Sequence, residues 1–179
     1  MKIAMNLPNK LTCMRMALIP VFLLFFYAPF EAGRYLALAV FIVASLTDAA
    51  DGYIARRDGL ITDFGKFMDP LADKLLVCSA LIALVDTGEI AAWVVILIIA
   101  REFAISGFRL IAADKGIVIA AGMWGKVKTV VQMVLVIVLL LKIPALNGLV
   151  KLLTVAAVIL TLVSLIDYIW KNRAVIESA

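Results

Sequence analysis

Residues 34–57 read RYLALAVFIVASLTDAADGYIARR, an apolar run that ends in two aspartates, a glycine and two arginines. A helix that spans a membrane needs about 20 predominantly apolar residues, and this run is long enough. Residues 66–85 show the opposite order, with the charged residues first and the apolar run after them. Two antiparallel helices joined by a short turn would therefore bring both groups of acidic residues to the same depth.

The whole chain has the composition of a membrane protein. Of its 179 residues, 65% are apolar, and the mean hydropathy is +1.12. A soluble domain has an apolar share nearer half, so a soluble enzyme, a secreted disulfide scaffold and a disordered tail are excluded. The longest runs without Asp, Glu, Lys or Arg are only 15 residues, 16–30 and 152–166. Charges therefore lie in or near the spans, where they indicate function by default.

Apolar runs separated by turn residues predict an all-α fold in a single domain over 1–179, with a short interfacial segment before the first helix. Basic residues gather on one side of the predicted helices, which places both termini on the cytoplasmic side of the cell membrane. The chain has no histidine, so a histidine base and a His-ligated zinc site are excluded. The six predicted membrane-spanning helices are 12–29, 34–55, 66–85, 90–113, 124–141 and 149–170.

Four aspartates have the spacing of a metal site. Asp48 and Asp51 are three residues apart near the end of the second helix, and Asp69 and Asp73 are four residues apart near the start of the third. Each pair therefore projects from one helix face. Oxygen ligands without His or Cys select a hard cation such as Mg²⁺, Mn²⁺ or Ca²⁺. Four carboxylates could hold two ions about 4 Å apart, an arrangement that clamps phosphoryl oxygens.

Small and basic residues lie beside these aspartates. Gly52 follows Asp51, and Gly65 precedes Asp69 by one turn. A residue without a side chain lets a ligand approach the backbone closely. Arg56, one turn beyond Gly52, has the geometry to bind a diphosphate through two hydrogen bonds.

Structural roles are the alternative for each aspartate taken singly. Asp69 precedes Pro70 and could cap the third helix, with the proline at its first position. Asp48 or Asp51 alone could form an ion pair with a basic neighbour such as Arg56. The four aspartates together, with two glycines and an arginine at helical spacing, favour a functional site.

This segment resembles the signature of the CDP-alcohol phosphatidyltransferases. The signature is D-x-x-D-G-x-x-A-R, eight residues, and G-x-x-x-D-x-x-x-D, and every fixed position is present between Asp48 and Asp73. Three further stretches are similar to members of the family that use sn-glycerol-3-phosphate. They are residues 6–15, 100–109 and 125–132, which read NLPNKLTCMR, AREFAISGFR and GKVKTVVQ.

The resemblance implies a metal-dependent enzyme with a six-helix membrane core that forms a homodimer. It would transfer the phosphatidyl group of CDP-diacylglycerol to sn-glycerol-3-phosphate and release phosphatidylglycerophosphate and CMP. Two ions, Mg²⁺ or Mn²⁺, would be bound by Asp48, Asp51, Asp69 and Asp73, with Asp73 also taking the proton of the acceptor hydroxyl. The residues expected to bind the CDP moiety are Thr47, Asp51, Gly52, Arg56, Gly65 and Asp69.

The implied acceptor carries a dianionic phosphate, so its pocket is expected to contain several fixed cations. The candidates on the fourth and fifth helices are Arg101, Arg109, Lys126 and Lys128. Arg101 lies well inside an apolar helix, and its alternative is an ion pair with Glu102 or an aspartate of a neighbouring helix. Arg109 has the forked geometry that binds phosphate. The two lysines are alternatively membrane-surface anchors or contacts to anionic head groups.

Other functions fit parts of the pattern. The same chemistry could use inositol phosphate, serine or inositol, but a neutral acceptor would not need four cations on the fourth and fifth helices. A membrane prenyltransferase also has aspartate-rich diphosphate motifs, although with more helices and a different aspartate spacing. An ion- or proton-coupled transporter would carry acidic residues near the midplane of several helices, often in repeated halves. No nucleic-acid partner is expected.

Overall fold

In a computed structural model of the chain, the described residues are 7–57, 63–114, 117, 119 and 122–173. The side chains of 7, 8, 48–57, 63–67, 69, 70 and 114 lie outside this description. Within these ranges the chain is all-α and forms no strand, as predicted. The helices are α1 (Leu7–Phe26), α2 (Gly33–Arg57), α3 (Asp63–Asp86), α4 (Ala92–Asp114), α5 (Met123–Leu141) and α6 (Asn147–Lys171), with a short 3₁₀ helix (Pro144–Leu146) before α6.

Two helices, α1 and α3, begin about one turn or more earlier than predicted. α1 begins at Leu7 rather than at residue 12, and Pro8 fits its first turn, where a backbone N–H has no helical partner to lose. A short interfacial segment was expected before the first helix. Part of it, residues 1–6, lies outside the described residues, and the rest belongs to the start of α1. α3 begins at Asp63, so Asp69 lies in the second turn of a continuous helix. The alternative in which Asp69 caps this helix is therefore wrong.

The chain consists of two compact units, Met1–Thr87 and Gly88–Ala179. In the first unit, α1 packs against α2 and α3. Phe22 and Phe41 are fully buried between α1 and α2, with ring centroids 6.2 Å apart. A Cβ at Gly33 would lie 2.7 Å from the carbonyl oxygen of Phe25, so the turn between these helices requires glycine. The prediction that the whole chain is one domain stays a prediction.

In the second unit, α6 packs against both α4 and α5. Ile98, Leu135 and Leu140 are fully buried in its apolar core. α5 ends at Leu141, and Lys142 caps it in the left-handed conformation, with φ 51°. Its backbone N–H donates to a carbonyl oxygen of the last turn and so satisfies one of the groups that a helix end leaves unpaired.

Three helical segments of the described chain are long and apolar enough to cross a membrane: Asn9–Phe26, Met123–Leu141 and Pro144–Lys171. A shorter apolar helix covers Gly33–Thr47. Large apolar side chains such as Ile96, Leu152 and Ile166 are exposed, which suits a surface in contact with lipid. These features support a membrane protein, and the six predicted spans stay a prediction.

Candidate active site

The four predicted metal-ligating aspartates lie on two helices of the first unit that contact each other. Asp48 and Asp51 lie near the end of α2, and Asp69 and Asp73 near the start of α3. Both helices are continuous through these positions, so the two aspartates of each pair lie about one helical turn apart, as predicted. The predicted site residues whose side chains lie outside the description are Asp48, Asp51, Gly52, Arg56, Gly65 and Asp69.

The side chains of two predicted residues in this region are described, those of Thr47 and Asp73. The Thr47 hydroxyl donates to the carbonyl oxygen of Val43, one turn earlier in α2, a common position for threonine in a helix. Asp73 is partly buried and interacts with a neighbouring group. Among the described side chains, no three His, Cys, Asp or Glu residues lie close enough to hold a metal ion. The predicted metal site stays a prediction, because the side chains of Asp48, Asp51 and Asp69 are not among those described.

Two of the basic residues predicted to bind the acceptor share one carboxylate in the second unit. Glu102 Oε1 accepts hydrogen bonds from Arg101 Nη1 at 2.9 Å and from Lys128 Nζ at 2.7 Å. Only 8% of Arg101 and 1% of Lys128 is exposed, so these are ion pairs in a low-dielectric interior. The alternative given for Arg101, an ion pair with Glu102, is therefore confirmed. Two cations and one carboxylate leave these three side chains with a net charge of +1.

The guanidinium of Arg101 is also held by α6 and lies close to α5. Its Nε donates to Ser164 Oγ at 3.1 Å, and the Ser164 hydroxyl in turn donates to the carbonyl oxygen of Thr161. A Cβ at Gly125 would lie 3.1 Å from Arg101 Nη2, so the missing side chain there makes room for the guanidinium. Arg101 therefore links three helices at one level, and Gly125 lets α5 approach it closely.

Arg109 lies two turns after Arg101 on α4 and packs against an aromatic ring. Its Cζ is 5.7 Å from the ring centroid of Tyr168 on α6, a distance typical of a cation–π contact. The same ring makes a T-shaped contact with Phe108, with the ring planes at 85° and the centroids 5.7 Å apart. Within the described part of the chain, Arg109 Nε and the Tyr168 hydroxyl are buried and have no hydrogen-bond partner.

Lys126 differs from the other predicted acceptor residues in its position. It lies in the first turn of α5, and its side chain is exposed, whereas Lys128 is buried. Its backbone N–H donates to the carbonyl oxygen of Gly122 at 3.2 Å. Of the four predicted acceptor residues, Arg101 and Lys128 thus meet at Glu102, Arg109 packs against Tyr168, and Lys126 lies at the surface.

Two residues of this region, Ser164 and Tyr168, had no role in the sequence analysis. Both are buried on α6 with Thr161, at spacings of three and four residues, which place them on one helix face. The signal in the sequence was this polar spacing inside an otherwise apolar helix. It could have been read as a buried polar face rather than as isolated residues.

Comparison with known proteins agrees with the motifs on α2 and α3. The family model of the CDP-alcohol phosphatidyltransferases matches residues 5–166, which include α1 to α5 and most of α6. The chain therefore belongs to this family, and the resemblance inferred from the signature is confirmed.

Several curated relatives carry a more particular name. The CDP-diacylglycerol–glycerol-3-phosphate 3-phosphatidyltransferase of Bacillus subtilis is 53% identical over 148 residues, 76% of this chain and 77% of that protein. A protein of the same name from Rickettsia bellii is 44% identical over 79% of this chain and 78% of its own length. A protein of Mycobacterium tuberculosis H37Rv, named "Probable phosphatidylglycerophosphate synthase", is 41% identical over 92% of this chain and 80% of its own length.

Proposed function

We infer that this chain transfers the phosphatidyl group of CDP-diacylglycerol to sn-glycerol-3-phosphate, giving phosphatidylglycerophosphate and CMP. The observation that carries this conclusion is the unbroken signature from Asp48 to Asp73 on two adjoining helices. The relative from Bacillus subtilis, which is named for this reaction, supports the choice of acceptor at 53% identity. The conclusion makes the chain an enzyme of phospholipid biosynthesis.

We propose that the enzyme depends on a divalent cation, Mg²⁺ or Mn²⁺, and that two ions are bound by Asp48, Asp51, Asp69 and Asp73. The residues fit such ions because all four offer carboxylate oxygens and the chain contains no histidine to favour zinc. When bound, the ions stabilise negative charge on the transferring phosphoryl group and on departing CMP. Asp73 accepts the proton of the glycerol-3-phosphate hydroxyl as that oxygen attacks the phosphorus.

The donor nucleotide is assigned to the residues around these aspartates. Gly52 and Gly65 let the CDP moiety approach the backbones of α2 and α3, and Arg56 neutralises its diphosphate. Thr47, Asp51 and Asp69 complete the set. The apolar surface of the helices suits the two acyl chains of a lipid donor.

The acceptor phosphate is assigned to Arg101, Arg109, Lys126 and Lys128. Arg101 and Lys128 are buried at one carboxylate, so two fixed positive charges lie close together, which suits a dianionic phosphate. Arg109 Nε is a buried donor without a protein partner in the described chain, and guanidinium groups bind phosphate oxygens through such donors. Inositol and serine carry no phosphate, so they would not use the positive charges of Arg101, Arg109, Lys126 and Lys128.

The proposed setting is the cell membrane, crossed six times, with both termini and the active site on the cytoplasmic side. The apolar helices and the excess of basic residues on one side support this topology. A homodimer is proposed on the resemblance to the family. Chemical cross-linking in membranes, followed by denaturing electrophoresis, tests that assembly.

The decisive experiment incubates the purified protein with CDP-diacylglycerol and radiolabelled sn-glycerol-3-phosphate, with Mg²⁺, with Mn²⁺ and with a chelator. We expect a labelled lipid and equimolar CMP only when a metal is present. Parallel reactions with inositol phosphate, inositol and serine test the alternative acceptors. A product from serine or inositol at a comparable rate, or no metal-dependent product at all, would overturn the proposal.

Two variants assign the roles within the aspartate group. Asp69→Asn and Asp73→Asn should each lower turnover by at least about 100-fold, the lower end of what a base or a charge-stabilising group contributes. Asp86→Asn is the matched control, because it makes the same change at the other end of α3 and should leave activity intact. Appreciable turnover in Asp69→Asn or Asp73→Asn would refute the role given to that residue.

A further inference from the structure

The buried polar face of α6 is the feature that the proposed function does not use. Thr161, Ser164 and Tyr168 are each less than a tenth exposed, although α6 is predominantly apolar and carries no position of the family signature. The hydroxyl of Thr161 donates to a carbonyl oxygen of its own helix. Ser164 and Tyr168 instead contact the two arginines of α4, so they act beyond their own helix.

Ser164 fixes the orientation of the Arg101 guanidinium. Its hydroxyl donates to the Thr161 carbonyl oxygen, which leaves the lone pairs of Oγ to accept the hydrogen bond from Arg101 Nε. With Nη1 bound to Glu102, two nitrogens of the planar group are held from different directions. The third nitrogen, Nη2, is thereby directed to the gap at Gly125.

Tyr168 supports the second arginine through its ring and not through its hydroxyl. The Arg109 guanidinium lies over the ring face, where the ring quadrupole attracts a cation. Phe108 packs against the same ring in a T-shaped contact. The Tyr168 hydroxyl has no hydrogen-bond partner in the described chain, so the ring alone accounts for this contact.

We propose that Ser164 and Tyr168 are positioning residues that hold Arg101 and Arg109 in the orientation in which they bind the acceptor phosphate. This inference rests on the proposed function, because it takes the two arginines as acceptor residues. α6 thereby determines selectivity for a phosphorylated acceptor without itself contacting the substrate. An arginine freed from its support still carries its charge, but it must be ordered again each time phosphate binds.

The test measures steady-state KM for glycerol-3-phosphate and for CDP-diacylglycerol separately, with kcat, in wild type and four variants in the same detergent. Tyr168→Leu should raise KM for glycerol-3-phosphate by about threefold to tenfold, the worth of a partly buried cation–π contact. Ser164→Ala should raise it by about threefold, the worth of one hydrogen bond. KM for the lipid donor should stay within twofold in both, roughly the effect of a neutral surface substitution.

Two further variants separate positioning from general structural damage. Tyr168→Phe keeps the ring and removes only the hydroxyl, so its KM for glycerol-3-phosphate should equal that of the wild type. Thr154→Val removes a hydroxyl that bonds to its own helix at Val150 and should leave both KM values unchanged.

Two patterns would overturn the inference: equal KM changes for both substrates in Tyr168→Leu, or the same KM change in Tyr168→Phe as in Tyr168→Leu. An unchanged KM for glycerol-3-phosphate in both Ser164→Ala and Tyr168→Leu would overturn it as well. A wild-type protein that makes no lipid from glycerol-3-phosphate would overturn the proposed function itself, so the two failures are distinguishable.

Discussion

Glu102→Gln is the substitution that the structure predicts most sharply. The carboxylate oxygen Oε1 is the common acceptor of Arg101 and Lys128, and Lys128 is only 1% exposed. Removal of one partner from a buried ion pair costs about 3–5 kcal/mol, because the remaining charge is left without compensation. Glutamine keeps an oxygen at the same place for both donors, so we expect the lower end of that range.

The free energy of unfolding should therefore fall by about 3 kcal/mol. For a chain of this length, that loss corresponds to a decrease in Tm of about 6–12 °C. The assay is thermal unfolding of the detergent-solubilised protein followed by tryptophan fluorescence, with far-UV circular dichroism as a second probe. Coincident transitions in the two probes show whether a single Tm is meaningful.

Glu89→Gln is the matched control, since it makes the same change in the same unit at a half-buried glutamate whose paired lysine is exposed. Glu89 lies 4.0 Å from Lys142, whose side chain is 68% exposed, and such a pair contributes about 0–1 kcal/mol. A Tm decrease in Glu102→Gln no larger than that in Glu89→Gln would refute the reasoning. Adding Lys128→Met to Glu102→Gln should recover part of the loss, because it removes the uncompensated charge.

Two smaller predictions follow from single contacts. Gly125→Ala should raise KM for glycerol-3-phosphate severalfold in the steady-state assay, because a Cβ would come within 3.1 Å of Arg101 Nη2; an unchanged KM would mean that the guanidinium moves aside freely. Lys142→Gly should raise Tm, because glycine adopts the left-handed conformation at about 1 kcal/mol less cost; a lower Tm would show that the lysine side chain matters more than its backbone.

The helices were predictable because each apolar run is bounded by turn residues that the backbone obeys. Thr87-Gly88 separates α3 from α4, and Gly88 has a positive φ of 72° in the structure. Asn147 and Gly148 were also expected to form a turn, but they form the first turn of α6. The start of α1 was predicted less accurately, because the span was counted from residue 12, whereas the helix begins at Leu7 with Pro8 in its first turn. The aspartate spacing was readable from residue numbers alone, since i,i+3 and i,i+4 positions always share a helix face.

Contacts between helices were harder to predict, because they depend on how each helix is rotated about its axis. Glu102 was one of several carboxylates open to Arg101, but its second contact to Lys128 requires α4 and α5 to face each other at that residue. Ser164 and Tyr168 gave a weaker signal still. A serine or tyrosine in an apolar helix usually makes a routine interhelical hydrogen bond, and nothing local indicates that an arginine lies opposite.

The shared carboxylate also has a consequence for how this protein is made. In the proposed topology α4 crosses the bilayer with Arg101, Glu102 and Arg109, and a single charged residue at a helix centre raises the insertion free energy by about 2.5–3.5 kcal/mol. The partners that these charged groups have on other helices, Lys128 on α5 and Ser164 on α6, are synthesised only after α4. In that topology we therefore expect α4 to be held stably in the membrane only after α5 and α6 have been inserted beside it.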